Sequence, residues 1–289
     1  AYVVHILARY QMPTTQLERG WMNTNALSVI DAQQRKLVNT VLLDDVDLGA
    51  ANPWGVTCTA DGKSICVTHA GTHELSVIDR KALHDRITMV EGGEPATAIS
   101  TSPDRISRDL TFLNGLRQRL PLTALGPRAL CSPGGPRCVV GGYFSGSLHV
   151  LDPGESPMIR DIPLVEVPLD GAIQRGEFLF HDARSCFQHW QSCSTCHPAV
   201  RTDALNWDHL NDGIGTPAVE KDLDPCLFDH FDHQVLDRFS IDRGTDPWTT
   251  IHTGAVHLVH AAHHLFANPL AHLLAAFDDV SDDQQHESS

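Results

Sequence analysis

Two thiols and an imidazole lie close together at Cys193-Ser194-Thr195-Cys196-His197. The spacing is C-x-x-C-H, the attachment sequence of a c-type haem. Each thiol can add to one vinyl group of the porphyrin, which makes two thioethers, and His197 then supplies the proximal imidazole to the iron. A single helical turn brings the three side chains together. The expected cofactor is one covalent haem c on Cys193 and Cys196, with His197 as the iron ligand. A C-x-x-C pair alone also serves as a redox dithiol or as half of a zinc site. A redox dithiol belongs at a strand-to-helix junction of an α/β fold, and the surrounding sequence has no such pattern. A zinc site needs further ligands, and the chain has no second C-x-x-C; its 18 His leave a His/Cys metal site open as an alternative.

The sixth position on the iron needs a separate donor. No Met follows Met158, so the candidate distal ligand is His209. His181 and His189 read as surface or propionate-side histidines. Half of all the His lie beyond residue 225, and His257, His260 and His264 share one helical face. That face suits a transition metal, a solvated surface or a segment without selected structure.

Residues 1–168 read as repeated β units that would carry this motif. Leu27-Ser28-Val29-Ile30-Asp31 recurs as Leu75-Ser76-Val77-Ile78-Asp79 and, more loosely, as Leu148-His149-Val150-Leu151-Asp152. Pro53 to Cys58, a turn at Asp61-Gly62 and Ser64 to Thr68 precede the second copy. Pro127 to Cys131, a turn at Gly134-Gly135 and Cys138 to Val140 precede the third. Hairpins in such a repeat predict stacked β units, best matched by about three blades of a β-propeller, with further blades expected upstream of Ala1. A β-sandwich of hairpins is the alternative. Two excursions interrupt the blades: a surface loop over 9–26, and an amphipathic helix over 103–119 carrying Ile106, Leu110, Leu113 and Leu116. A two-residue turn at Gly134-Gly135 sets Cys131 directly opposite Cys138, and the turn at Asp61-Gly62 offsets Cys58 and Cys66 by one position; each pair is a candidate disulfide or a pair of buried thiols. A cluster of Pro and Gly at 153–172 marks a join.

The stretch from Arg175-Gly176-Glu177-Phe178-Leu179-Phe180-His181 through the motif to Asn211-Asp212-Gly213-Ile214-Gly215 resembles the first haem domain of the bacterial di-haem cytochrome c peroxidase and MauG-like superfamily. It is most similar to the branch in which that domain follows a YVTN-type β-propeller. The resemblance implies a partial β-propeller followed by a mainly α cytochrome c domain. The divisions would be 1–168 propeller, 169–217 haem domain and 218–289 an acidic, His-rich tail. It also implies an electron-transfer protein whose partner is a redox protein or a second haem domain. Peroxidase-like oxidoreductase activity would require that second domain in the full-length protein. Arg184, Trp190, Arg201 and Trp207 match the family stretch as candidates for propionate contact or haem-edge packing. A propeller interaction module with a non-functional haem segment is the reading from another class.

Totals narrow the setting. The net charge of −15 argues against nucleic acid or an anionic membrane as partner. No apolar run approaches the roughly 20 residues of a membrane-spanning helix. Eight Cys in a chain with a haem motif suit an exported, oxidising compartment, which in a bacterium means the periplasm. The chain opens on a strand without a signal peptide, as a mature chain or a fragment would.

Overall fold

The computed structural model describes residues 1–10, 21–153, 157–201 and 203–205. Three antiparallel meander sheets follow one another along the chain. The first contains β1 (Tyr2–Ala8), β2 (Asn23–Asp31) and β3 (Lys36–Leu42). The second contains β4 (Pro53–Cys58), β5 (Ser64–His69), β6 (Glu74–Asp79) and β7 (Arg117–Pro121). The third contains β8 (Pro127–Cys131), β9 (Cys138–Gly142), β10 (Ser147–Asp152) and β11 (Met158–Pro163). The leading strands of neighbouring sheets pack together, β1 on β4 and β4 on β8. Sheets arranged radially about their first strands are blades of a β-propeller.

Turn chemistry sets the hairpins. Asp61 accepts from the Thr59 hydroxyl and the Lys63 N–H, and Gly62 takes φ +71°, which a side chain would oppose. Asp31 accepts from the N–H groups of Gln33 and Gln34 in the β2–β3 turn. The Asp ending the second repeat acts differently. Asp79 accepts from the Ala82 N–H and caps α1 (Arg80–Glu91). This helix buries Leu83, Ile87 and Val90 against Leu27, Ile65 and Ile78, which fills the wedge between the first two blades. A second apolar cluster, with Cys66, Leu75, Leu120, Cys138, Val140 and Leu151, fills the wedge between the second and third.

Several sequence expectations are corrected here. No helix spans 103–119. Only a 3-10 turn, Pro103–Arg108, forms, and residues 117–121 are the outer strand β7. Asp109 breaks the run by collecting the hydroxyls of Thr97, Ser100 and Thr111, and Gly115 turns the chain at φ +76°. Ile106, Phe112 and Leu113 still reach the core, but from turns. The expected loop at 9–26 is shortened by β2, which starts at Asn23; residues 11–20 lie outside the described ones.

A mainly α cytochrome c domain is not present among the described residues. After the blades come α2 (Ala172–His181), the single turn α3 (Cys193–Cys196) and three 3-10 turns. Positive φ at Gln188, His189, Ala199 and Ala204 stops helix growth between and after them. Both apolar core clusters among the described residues belong to the blades and to the α1 insertion, and the segment from 172 onward is laid against the blades.

Candidate functional site

The C-x-x-C-H turn is fixed at its start by a capping box. The Ser192 N–H donates to Thr195 Oγ1 at 3.0 Å while the Ser192 hydroxyl caps the turn. Blade residues then clamp it. Asn52 donates to Ser192 Oγ at 2.6 Å and to Ser194 Oγ at 3.0 Å, and accepts from Thr195 Oγ1 at 2.6 Å. Asn23 donates to Cys196 Sγ at 3.2 Å. Asn25 donates to the Trp190 carbonyl at 3.2 Å and accepts from the Asn52 N–H. These three asparagines are buried, as are Trp190, Gln191, Ser192 and Thr195. Their partners in the motif segment are more than a hundred residues away in sequence, so no local pattern announces them.

A buried carboxylate organises the asparagines. Asp44 accepts from the Asn25 N–H and side-chain amide and from the Ala50 N–H. Burial pushes its carboxyl up to about 6, against those hydrogen bonds and the nearby Arg117. Arg117 and Arg119, from β7, hold the 43–49 loop: both pair with Asp45, and Arg119 donates to the Leu48 and Gly49 carbonyls and pairs with Glu74. Gly49 then meets the motif segment directly through its N–H, which donates to the Gln188 carbonyl at 2.7 Å.

That contact leaves no room for a side chain. A Cβ on Gly49 would stand 2.3 Å from Trp190 Cα and 2.5 Å from the His189 carbonyl oxygen. Both are backbone atoms, so the segment itself would have to move. Gly49→Ala is expected to cost about 2–3 kcal/mol. Urea unfolding, together with trypsin cleavage after Arg184, measures the loss and the detachment; an unchanged midpoint and cleavage rate would contradict the close approach.

A second clamp lies upstream. The Ala183 N–H donates to the Gly71 carbonyl, and His73 stacks on Phe178 at 5.8 Å between ring centroids. Burial would raise the Asp182 carboxyl, but hydrogen bonds from His73 and Arg184 outweigh it and hold the group well below the usual carboxylate range. His181 is not the surface histidine expected from sequence. It packs against Phe144, and burial, with Arg128 nearby, pushes it down to about 3. His189 is half-buried and lowered for the same first reason. Trp190 is buried, 2% exposed, with its indole N–H donating to Gln188 Oε1, and Arg184 pairs with Asp182.

The motif side chains themselves differ in setting. Burial pushes the Cys193 thiol up to about 12, so it stays protonated and slow in thiol exchange at neutral pH. His197 ends the turn, and its Nδ1 lies 3.1 Å from the Arg201 carbonyl. His209, Trp207 and the His257–His264 face lie outside the described residues. Among the described residues no group of three or more His, Cys, Asp or Glu is arranged to hold a metal ion, and no helix is long and apolar enough to cross a membrane.

No protein-family model matches the chain. Hydrazine synthase subunit beta of Kuenenia stuttgartiensis is 27% identical over 151 residues, which cover 52% of this chain and 37% of that protein. Among solved structures, Kuenenia stuttgartiensis hydrazine synthase aligns at a TM-score of 0.46 and 24% identity, over 54% of this chain and 42% of that one. The Pseudomonas aeruginosa periplasmic gluconolactonase PpgL aligns at 0.33 and 13%, over 59% and 40%. The chain thus spans well under half the length of these relatives. The similarity in sequence runs to the hydrazine synthase beta subunit, which overturns the assignment to the di-haem cytochrome c peroxidase and MauG-like superfamily. What the sheets establish is a β-propeller chain whose blades, through Asn23, Asn25 and Asn52, grip a C-x-x-C-H turn.

Proposed function

We propose that this chain is a c-type haem-binding electron-transfer protein in which propeller blades, and not a separate helical domain, hold the attachment turn. The observation that carries the reading is the setting of His197. With the proton on Nδ1, that nitrogen donates to the Arg201 carbonyl and leaves Nε2 free as the metal-facing nitrogen. The donor set fits the group: two thiols on one helical turn, followed by an imidazole in a tautomer set by its own neighbour. Cys193 and Cys196 would hold the haem through thioethers, and His197 through Nε2. When bound, such a haem supplies a one-electron ferric–ferrous couple.

The chain's own residues account for positioning. Asn52 and Thr195 fix the turn, and Asn23 holds the Cys196 sulfur, which remains a weak acceptor as a thioether. Trp190 and Gln191, which lead into the turn, are buried against the blades. The relative is named as a subunit, which supports a partner that is another polypeptide. An exported, oxidising compartment such as the periplasm suits both the covalent attachment and the Cys content.

The test is intact mass and a pyridine-haemochrome spectrum of full chain made with a c-haem maturation system. One haem is expected to remain attached after acid–acetone extraction, and Cys193→Ala with Cys196→Ala is expected to abolish it. A chain that matures without the mass gain, or a double variant that keeps it, removes the proposal.

A further inference from the structure

The second and third blades carry four cysteines, and the strand registers separate the two hairpin pairs suggested by sequence. Cys131 stands opposite Val139, not Cys138, and Cys58 opposite Ile65, not Cys66. A one-position offset in a strand sends neighbouring side chains to opposite faces, so neither hairpin pair faces the other. The sulfurs that do meet come from different blades. Cys66 is in β5 and Cys138 opens β9, both are fully buried, and their Sγ atoms lie 3.1 Å apart, about 1 Å beyond a covalent S–S bond.

We infer that Cys66 and Cys138 form an inter-blade disulfide that locks the second blade to the third. Independent contacts hold the two sulfurs in place. The turn of one blade is tied to the turn of the next, with the Asp61 N–H donating to the Gly135 carbonyl and the Ala60 N–H to Ser132 Oγ. Leu75, Leu120, Val140 and Leu151 share one buried apolar cluster with the two sulfurs. In the reaction the S–H bonds of Cys66 and Cys138 break and one S–S bond forms. The two electrons and two protons pass to a disulfide oxidant, such as glutathione disulfide, which leaves as two thiols. The inference is independent of haem attachment.

Trypsin separates the alternatives, because cleavage after Lys36, Lys63, Arg80, Arg128, Arg137 and Arg160 isolates each of these cysteines on its own peptide. The full chain is refolded in a glutathione redox buffer, alkylated and digested without reductant. Peptide 64–80 linked to peptide 138–160 is the expected product. The link closes a loop of 72 residues, so adding a strong reductant should lower the Tm by about 10 °C. In Cys138→Ser both the linked peptide and the reductant effect should vanish. Recovery of Cys66 and Cys138 as alkylated peptides overturns the inference. So does a link from 64–80 to 37–63, or from 138–160 to 129–137.

Discussion

Replacing Asn52 with Ala is expected to lower stability by about 3–5 kcal/mol and to release the C-x-x-C-H turn from the blades. The side chain satisfies three hydroxyls of the turn, those of Ser192, Ser194 and Thr195. Ser192 and Thr195 are buried, so water does not replace the lost partner without opening the contact. Each buried polar group left unsatisfied costs about 1–3 kcal/mol. Backbone strain adds to this: Asn52 sits at φ +56°, a conformation Asn tolerates and Ala resists by about 1–2 kcal/mol. The two contributions separate experimentally. Asn52→Gly relieves the strain but not the hydrogen bonds, and should recover about 1 kcal/mol of the loss. Urea unfolding gives the stabilities, and trypsin cleavage after Arg184 reports release of the segment. A loss below about 1 kcal/mol for Asn52→Ala, less than one unsatisfied buried group costs, would mean that the turn is held by something other than this network.

The contrast between the motif and its anchors explains what the sequence can and cannot disclose. Cys193, Cys196 and His197 are legible because their chemistry needs a fixed local spacing. The hairpins at Asp61-Gly62 and Gly134-Gly135 are legible for the same reason: a turn is a local event, and Gly62 and Gly135 both take positive φ. Asn23, Asn25 and Asn52 are not legible. An asparagine near a strand end reads as turn chemistry, and nothing local tells that three of them converge on a segment that follows all the blades. The α1 helix is hidden by its place: its Asp79 cap is also the end of a blade repeat, and the repeat masks the helix start. Cys131 and Cys138 miss by one position of register, which in a strand is the difference between facing and opposing sides, while Cys58 and Cys66 show the one-position offset their turn predicts. The helical haem domain fails because a short motif transfers chemistry but not the fold around it. The residues beside the motif build turns with positive φ, and the blades supply the packing that a helical domain would otherwise give.

Acid should loosen this same docking through His181, and the sign follows from its burial. The folded chain holds His181 neutral, with its pKa pushed down to about 3 from an ordinary value of 6.5. A depressed folded value means that the unfolded chain binds the proton first. The stabilising effect is fully present above about pH 6.5 and is lost progressively as pH falls toward 3. The whole span amounts to about 5 kcal/mol, at about 1.4 kcal/mol per pH unit. The groups facing His181 give the proton no partner: Phe144 and Phe180 are apolar, and Arg128 carries the same charge. His69, buried between the Ala50 carbonyl and the Ser76 hydroxyl and also lowered, acts in the same direction. Asp44 acts in the opposite one. Its folded value near 6 lies above the unfolded one, so it favours folding as pH falls from about 6 toward 4, by about 3 kcal/mol at most. Wild-type stability alone therefore mixes two opposed titrations. Comparison with His181→Phe isolates one of them, because Asp44 is unchanged in both proteins. Between about pH 7 and pH 5 the wild type is expected to lose about 2 kcal/mol more than His181→Phe in urea unfolding. The added loss should appear together with faster trypsin cleavage after Arg184, since His181 ends the helix that leads into the motif segment. Parallel pH profiles for the two proteins would show that His181 is protonated in the folded state without opening the contact, and the account of how α2 is held would fail.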